Sequence, residues 1–269
     1  MRKTFIDIIQ SKGFSVNTEY HRLKELFYYR KANCSYSEWI TLREYINRIY
    51  LSIVRRDNAT SLDDFDETYG FDFNTESKVY DLDTLLVFCE YIVHFTNQII
   101  FPGGLSDLKK IIDNQIGTII KSIGYEAIQK DNEYIFVPKE PAAVEVAESI
   151  DDEDVSYKVL YYNHHSLKGD LEGKRQILEK LAHKLEPNEK ELEKINLSLK
   201  KHLFGAFNNL NIRHNNLEAK DGDYNEKFAQ LTDEKKEEMY DSLYKDCLIA
   251  FLELENNSKR CEIKDYYKK

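Results

Sequence analysis

The sequence predicts a mainly α-helical protein with one small β-hairpin in its middle. Three observations support that reading. Only 4 Pro and 10 Gly interrupt 269 residues, so elements are long, and long elements are helices. Apolar residues recur at spacings of three and four through most of the chain. One stretch, near 125–137, alternates around a polar turn. Hydrophobic residues make up 42% of the chain and aromatic residues 13%, with 19 Tyr and 14 Phe, enough for a real core. Tyrosine buries a ring and keeps a hydroxyl for a partner, so a tyrosine-rich helical protein can have wet interfaces between its helices.

Residues 1–60 read as helical. Tyr20 to Tyr29 and Ser37 to Val54 carry helical spacing, the latter through Trp39, Leu42, Tyr45, Ile46, Ile49 and Ile53. Ser35 with Glu38 three places on has the spacing of a capping box. Arg43, Arg48, Arg55 and Arg56 give this helix a basic side, read as a solvated face. Residues 57–79 are acidic and aperiodic and read as an exposed connection. Asp63, Asp64, Asp66 and Glu67 do not follow a calcium-loop pattern. A helix over Asp81 to Phe101 is stopped by Pro102-Gly103-Gly104. Ser106 is then placed to cap a helix over Asp107 to Ser122.

The hairpin pairs Tyr125–Gln129 with Glu133–Val137 across Lys130-Asp131-Asn132. Helix, helix, hairpin is a winged-helix-like order in outline. Its functional form would be a DNA-binding regulator, but Asp107 and Asp113 stand against Lys109, Lys110 and Lys121. Ala142 to Ile150 is a short helix. Asp151-Asp152-Glu153-Asp154 reads either as a linker or as the negative first turn of a helix. The domain boundary is expected here: 1–150 as a helical domain with the hairpin, 151–256 as a helical bundle, and 257–269 as a charged, fraying tail.

In the bundle, Val155 to Tyr162 and Lys168 to Leu185 form one bent helix or two, with Gly169 and Gly173 as weak points. Pro187 starts a helix over Glu189 to Ile212, with Leu192, Ile195, Leu199, Leu203, Phe207 and Leu210 on its stripe. Asp221-Gly222-Asp223 marks a loop. Thr232 caps a last helix that buries Met239, Leu243, Cys247, Leu248, Phe251 and Leu252.

Net charge is −10 with a pI near 5.3, which argues against broad, non-specific binding to a nucleic-acid backbone and leaves room for a small basic site. Cys34, Cys89, Cys247 and Cys261 form no Cys-x-x-Cys pair and point to a reducing compartment. No signal peptide is evident. The most apolar run, Leu82 to Phe101, is interrupted by Asp83, Glu90, His94 and Gln98, so a buried helix is expected and no membrane span. The expected location is the cytoplasm. His164, His165, His183 and His202 lack partners at zinc-ligand spacing, so no cofactor or metal is expected.

The segment Phe207 to Asn216 is the most informative. Asn208, Asn209, Asn211, Asn215 and Asn216 surround Arg213 and His214. Asparagine is a poor helix former that competes for backbone hydrogen bonds. Either these residues cap and stop the helix, or they hold the Arg-His pair in a polar pocket. Arg213 and His214 lie about 100° apart on a helical wheel. They face one cleft only if the helix ends or a second chain supplies one of them. In the pocket reading, Arg213 binds a phosphate and His214 takes or gives a proton at a ribose 2′-hydroxyl. Asparagines orient the sugar or phosphate. In the structural reading, Arg213 pairs with Asp241 or Glu238, and His214 and the asparagines join helix ends.

From Tyr162 to Leu254 the chain resembles a HEPN-type helical domain of bacterial abortive-infection proteins. The matching pieces are Tyr162-Asn163-His164-His165-Ser166-Leu167-Lys168-Gly169-Asp170-Leu171-Glu172-Gly173-Lys174-Arg175, Ile177 to Ala182 with Leu185-Glu186-Pro187, the Arg213-His214 segment, and Tyr240-Asp241-Ser242-Leu243-Tyr244. The resemblance implies a HEPN-like bundle that dimerises, cuts RNA without a metal and serves phage defence, with Arg213 and His214 as catalytic residues. The family's motif places Arg four to six residues before His. Here the two are adjacent and no His follows at that distance. The resemblance therefore leaves a variant site shared across a dimer, or a descendant that binds without cutting. The alternative is a non-catalytic scaffold for a partner protein of a defence operon.

Overall fold

The computed structural model describes residues 14–35, 37–53, 58–75, 79–130, 133–218, 220 and 223–267. The protein is mainly α-helical, with two small antiparallel hairpins among the described residues. The chain divides into two compact units, Met1–Phe136 and Val137–Lys269.

In the first unit, α1 (Val16–Lys24) starts at Ser15, whose hydroxyl accepts the Thr18 N–H at 3.4 Å. It continues into a π-helical turn, Glu25–Tyr29. β1 (Ala32–Asn33) pairs with β2 (Trp39–Ile40), Ala32 opposite Ile40. The expected capping box at Ser35 and Glu38 does not form, because these residues join the two strands. Glu38 instead accepts from Arg48 at 2.7 Å and from the Cys34 thiol at 3.1 Å. The box lies six residues on. Thr41 Oγ1 accepts the Glu44 N–H at 3.1 Å and Glu44 accepts the Thr41 N–H at 2.8 Å. It starts α2 (Leu42–Ile53), which buries Leu42, Ile46 and Tyr50, while Trp39 stays outside the helix and 62% exposed.

The acidic connection holds a helix, α3 (Leu62–Tyr69), capped by Ser61 and closed by left-handed Gly70. Arg43 is not on a solvated face. It reaches Asp63 and Asp66 at 2.5 Å each and lies over the Tyr28 ring. Asp66 also accepts from the Tyr91 hydroxyl at 2.7 Å. Burial pushes the Asp66 carboxyl up, against the pull of Tyr91 and Arg43. Arg55 and Arg56 lie outside the described residues.

α4 (Leu82–Thr96) is capped by Asp81 and buried on most sides, with Leu85, Leu86, Phe88, Cys89 and Ile92 fully covered. α5 (Gly103–Ser122) begins at the glycines, not after them, so Ser106 sits inside its first turn. The Gly104 N–H donates to Asn33 Oδ1 at 3.1 Å, and a Cβ at Gly104 would collide with that oxygen. β3 (Tyr125–Lys130) and β4 (Glu133–Pro138) form the expected hairpin; Asp131 and Asn132 of its turn lie outside the described residues.

The division between units falls in β4, earlier than the acidic run. α6 (Pro141–Ser149) buries Ala143, Val146 and Ala147 in the second core, which draws it into that unit. α7 (Glu153–Tyr161) is capped by Asp152, so the acidic run is a helix start. A 3-10 turn at His165–Leu167 and left-handed Gly169 separate it from α8 (Leu171–Leu185). The helix expected over Glu189 to Ile212 is two: α9 (Glu189–Ile195) and α10 (Leu197–Asn209). Asn196 breaks it at φ −148°, accepting the Leu199 N–H at 3.0 Å and donating to Glu253 at 3.0 Å. α11 (Glu226–Ala229) is a single turn. α12 (Asp233–Tyr267) runs through the stretch expected to fray and packs on α6, α8, α9 and α10. Among the described residues no helix is long and apolar enough to cross a membrane.

Candidate functional site

The asparagine-rich segment terminates α10, and its side chains satisfy the carbonyls that a helix end leaves open. Asn211 takes the left-handed conformation (φ 60°), which asparagine tolerates better than most residues. Asn216 is fully buried. Its Oδ1 accepts the Asn211 N–H at 2.7 Å, and its Nδ2 donates to the Asn208 carbonyl at 3.0 Å and to the Asp223 carbonyl. Asn211 Oδ1 in turn accepts the Asn216 N–H at 3.2 Å. The remaining carbonyls are covered from elsewhere. Asn225 Nδ2 donates to Asn209 O at 2.9 Å, the Tyr240 hydroxyl to Leu210 O at 3.1 Å, and the Arg213 N–H to Phe207 O at 3.0 Å. Burial pushes the Tyr240 hydroxyl up to about 12, with Asn211 opposing.

The exposed asparagines act locally. Asn209 Nδ2 donates to Gly205 O at 2.8 Å and Asn215 Oδ1 accepts the Leu217 N–H at 3.2 Å. Asn208 contributes its carbonyl to Asn216 and an exposed side chain.

Arg213 pairs with Glu186 at 2.8 Å, not with Asp241 or Glu238. The same nitrogen donates to Ala182 O at 3.4 Å, so the guanidinium ties this loop to the end of α8. It also lies 5.1 Å from the ring centres of both Phe204 and Phe207. Its side chain is 15% exposed, and its buried Nε has no hydrogen-bond partner among the described residues. His214 is exposed and faces a different acid, Asp223, at 3.6 Å. The two groups adjacent in sequence thus serve different partners.

Asp241 and its neighbours form a second polar cluster that the sequence reading missed. Lys174 Nζ, on a side chain only 8% exposed, sits 2.7 Å from Glu237 and 2.7 Å from Asp241. The Tyr162 hydroxyl donates to Asp241 at 3.1 Å, and the Gly169 N–H to Glu237 at 2.9 Å. Glu237 is held below its usual range by the Gly169 N–H and Lys174, which outweigh its burial. Arg175 grips Glu172 through two bonds of 2.8 Å and reaches Ile212 O at 3.4 Å. The missed partners Glu186, Asp223, Asn225 and Tyr240 had no common spacing that could reveal them. Only the Asn225-x-x-Phe228 cap of α11 carried a local signal, the Asn225 Oδ1 accepting the Phe228 N–H at 3.2 Å.

Comparison of the chain with protein-family models, with curated proteins and with solved structures finds no match.

Proposed function

We propose that this protein works by association and not by bond cleavage: a helical interaction protein with its second unit as the binding module. Its setting would be the phage-defence role that the HEPN resemblance implies, in the reducing cytoplasm that the cysteine pattern predicts, alongside a partner protein. One observation carries the reading. Arg213 and His214 are each engaged by their own acid, Glu186 and Asp223, and the surrounding asparagines are largely occupied with closing a helix end. A phosphate ligand would have to displace Glu186 from a guanidinium already held by two phenyl faces.

The test expresses the wild type and an Arg213→Ala, His214→Ala double variant and follows growth and total RNA integrity, with and without phage challenge. Intact RNA from both forms is expected. RNA damage by the wild type that the double variant loses would overturn the reading. It would establish the second reading, metal-independent RNA cleavage in which Arg213 holds phosphate, His214 moves the proton, and Asn209, Asn211 and Asn215 orient the substrate. That second reading draws on the exposure of His214. A winged-helix role is less favoured, because Lys109 is paired with Asp113 at 2.6 Å and Lys110 with Asp107 at 3.0 Å. A gel shift with random duplex DNA at low salt should show no complex.

A further inference from the structure

A cavity of about 280 Å³ opens in the second unit where the end of α6, the end of α8 and the start of α9 meet α12. Its floor is apolar. Ile150, Phe251 and Leu254 belong to the second core, yet each leaves 8–9% of its surface bare there. Its walls carry both signs of charge. Lys184, half-buried in the last turn of α8, lines one side, and no described acid is within ion-pairing reach of its ammonium. Asn188 stands beside it, its side chain making no cap to α9. Asp151 and Glu191 line the cavity as well, and neither forms an ion pair with a described residue. Glu191 spends one oxygen on the Asn257 amide at 3.0 Å. Glu255, the remaining acid, is held by Lys259.

We propose that this cavity binds a free α-amino acid with an apolar side chain. Lys184 and Asn188 donate to the ligand carboxylate, Asp151 and Glu191 accept from its ammonium, and its side chain lies on Ile150, Phe251 and Leu254. Three properties of the lining select this class together. A simple amine would leave the Lys184 ammonium unmet. A carboxylic acid would satisfy Lys184 and face two unpaired carboxylates. A bare metal ion would gain nothing from an apolar floor. A zwitterion meets both signs through charge-assisted hydrogen bonds, the stronger kind, and the floor adds burial of its side chain. The volume sits near the lower end of the roughly 300–1,000 Å³ of small-molecule pockets, which limits the ligand to one small molecule. Asp151 and Asn188 are exposed at the rim, so the ligand enters from solvent. The site lies within one chain and does not depend on the association proposed above.

Equilibrium dialysis of the full chain against labelled L-leucine tests this. Saturable binding of one leucine per chain is expected. Unlabelled 3-methylbutylamine, which lacks the carboxylate, and 4-methylpentanoate, which lacks the ammonium, should each compete at least about tenfold more weakly, as loss of a charge-assisted hydrogen bond requires. Glycine, without the side chain, should also compete more weakly. Lys184→Met should weaken leucine about tenfold without weakening the amine, and Asp151→Asn should weaken both, each with unchanged circular dichroism. No saturable binding of leucine at millimolar concentration would overturn the proposal. So would an amine, an acid or glycine that competes as well as leucine, or a Lys184→Met variant that binds leucine as the wild type does.

Discussion

Asn216 shows how one residue can close a helix. Its amide is buried and bonds three backbone groups, at Asn211, Asn208 and Asp223. Asn216→Ala leaves those groups unsatisfied, and each buried polar group stranded in this way costs about 1–3 kcal/mol. A lowered urea midpoint at unchanged slope is expected, and a midpoint equal to wild type would show that water replaces the amide. Arg213 acts through contact as much as charge. Arg213→Lys keeps the charge for Glu186 and loses the guanidinium placed over Phe204 and Phe207, so it should destabilise by about 1 kcal/mol. Glu172 sets an acid limb. Its bidentate hydrogen bonds with Arg175 hold the carboxyl down at about 2 in the folded chain, against an ordinary value of 4.5. A depressed carboxylate adds stability that is present above the ordinary value and lost as pH falls toward the folded one. Stability should therefore decline between pH 4.5 and 2, and Glu172→Gln should flatten that decline in thermal scans taken across the window.

At the level of elements, starts and stops are written locally but chosen between rivals. Ser35-x-x-Glu38 and Thr41-x-x-Glu44 have the same form, and only the second precedes the buried stripe Leu42, Ile46, Tyr50. A capping box is worth forming where the helix that follows has a face to bury. Thr41→Ala should cost about 1 kcal/mol in denaturant unfolding, while Ser35→Ala should leave the midpoint unchanged. The break at Asn196 was hidden because Leu192, Ile195 and Leu199 keep helical phase across it. What interrupts the helix is the pull of Glu253 on α12 together with the local cap on Leu199. α3 was missed for the opposite reason. Its acidic face hides a short apolar stripe, and its place is fixed by Arg43 on α2 and Tyr91 on α4, distant in sequence. The hairpin and the buried helix α4 were legible, because period and punctuation agreed there, while α5 was legible in period and not in its start.

At the scale of the whole molecule, a charged group taken out of water can tie distant helices together. In the second unit, Lys174 joins α8 to α12 through Glu237 and Asp241 while lying 5.4 Å from the Tyr162 ring centre. Removing one partner of a buried pair is more damaging than never having had it. Lys174→Met should destabilise the protein by about 3 kcal/mol, read as a fall in thermal midpoint, with Asp241 rehydrated more easily than Glu237 because it is more exposed. A variant with an unchanged midpoint would show that the cluster is dispensable. By itself, the sequence determined the helical class, the hairpin and the burial of Cys247, and it narrowed the asparagines near 211 to a helix stop or a polar pocket. Those properties depend on composition, period and neighbours within a few residues. Only the tertiary structure decided that α6 belongs to the second core, that Arg213 answers to Glu186 and His214 to Asp223, and that the last turns of α12 run exposed past the second core. Each of those depends on which residues far apart in the chain come within a few ångströms, and side-chain spacing along a single strand of sequence carries no record of that.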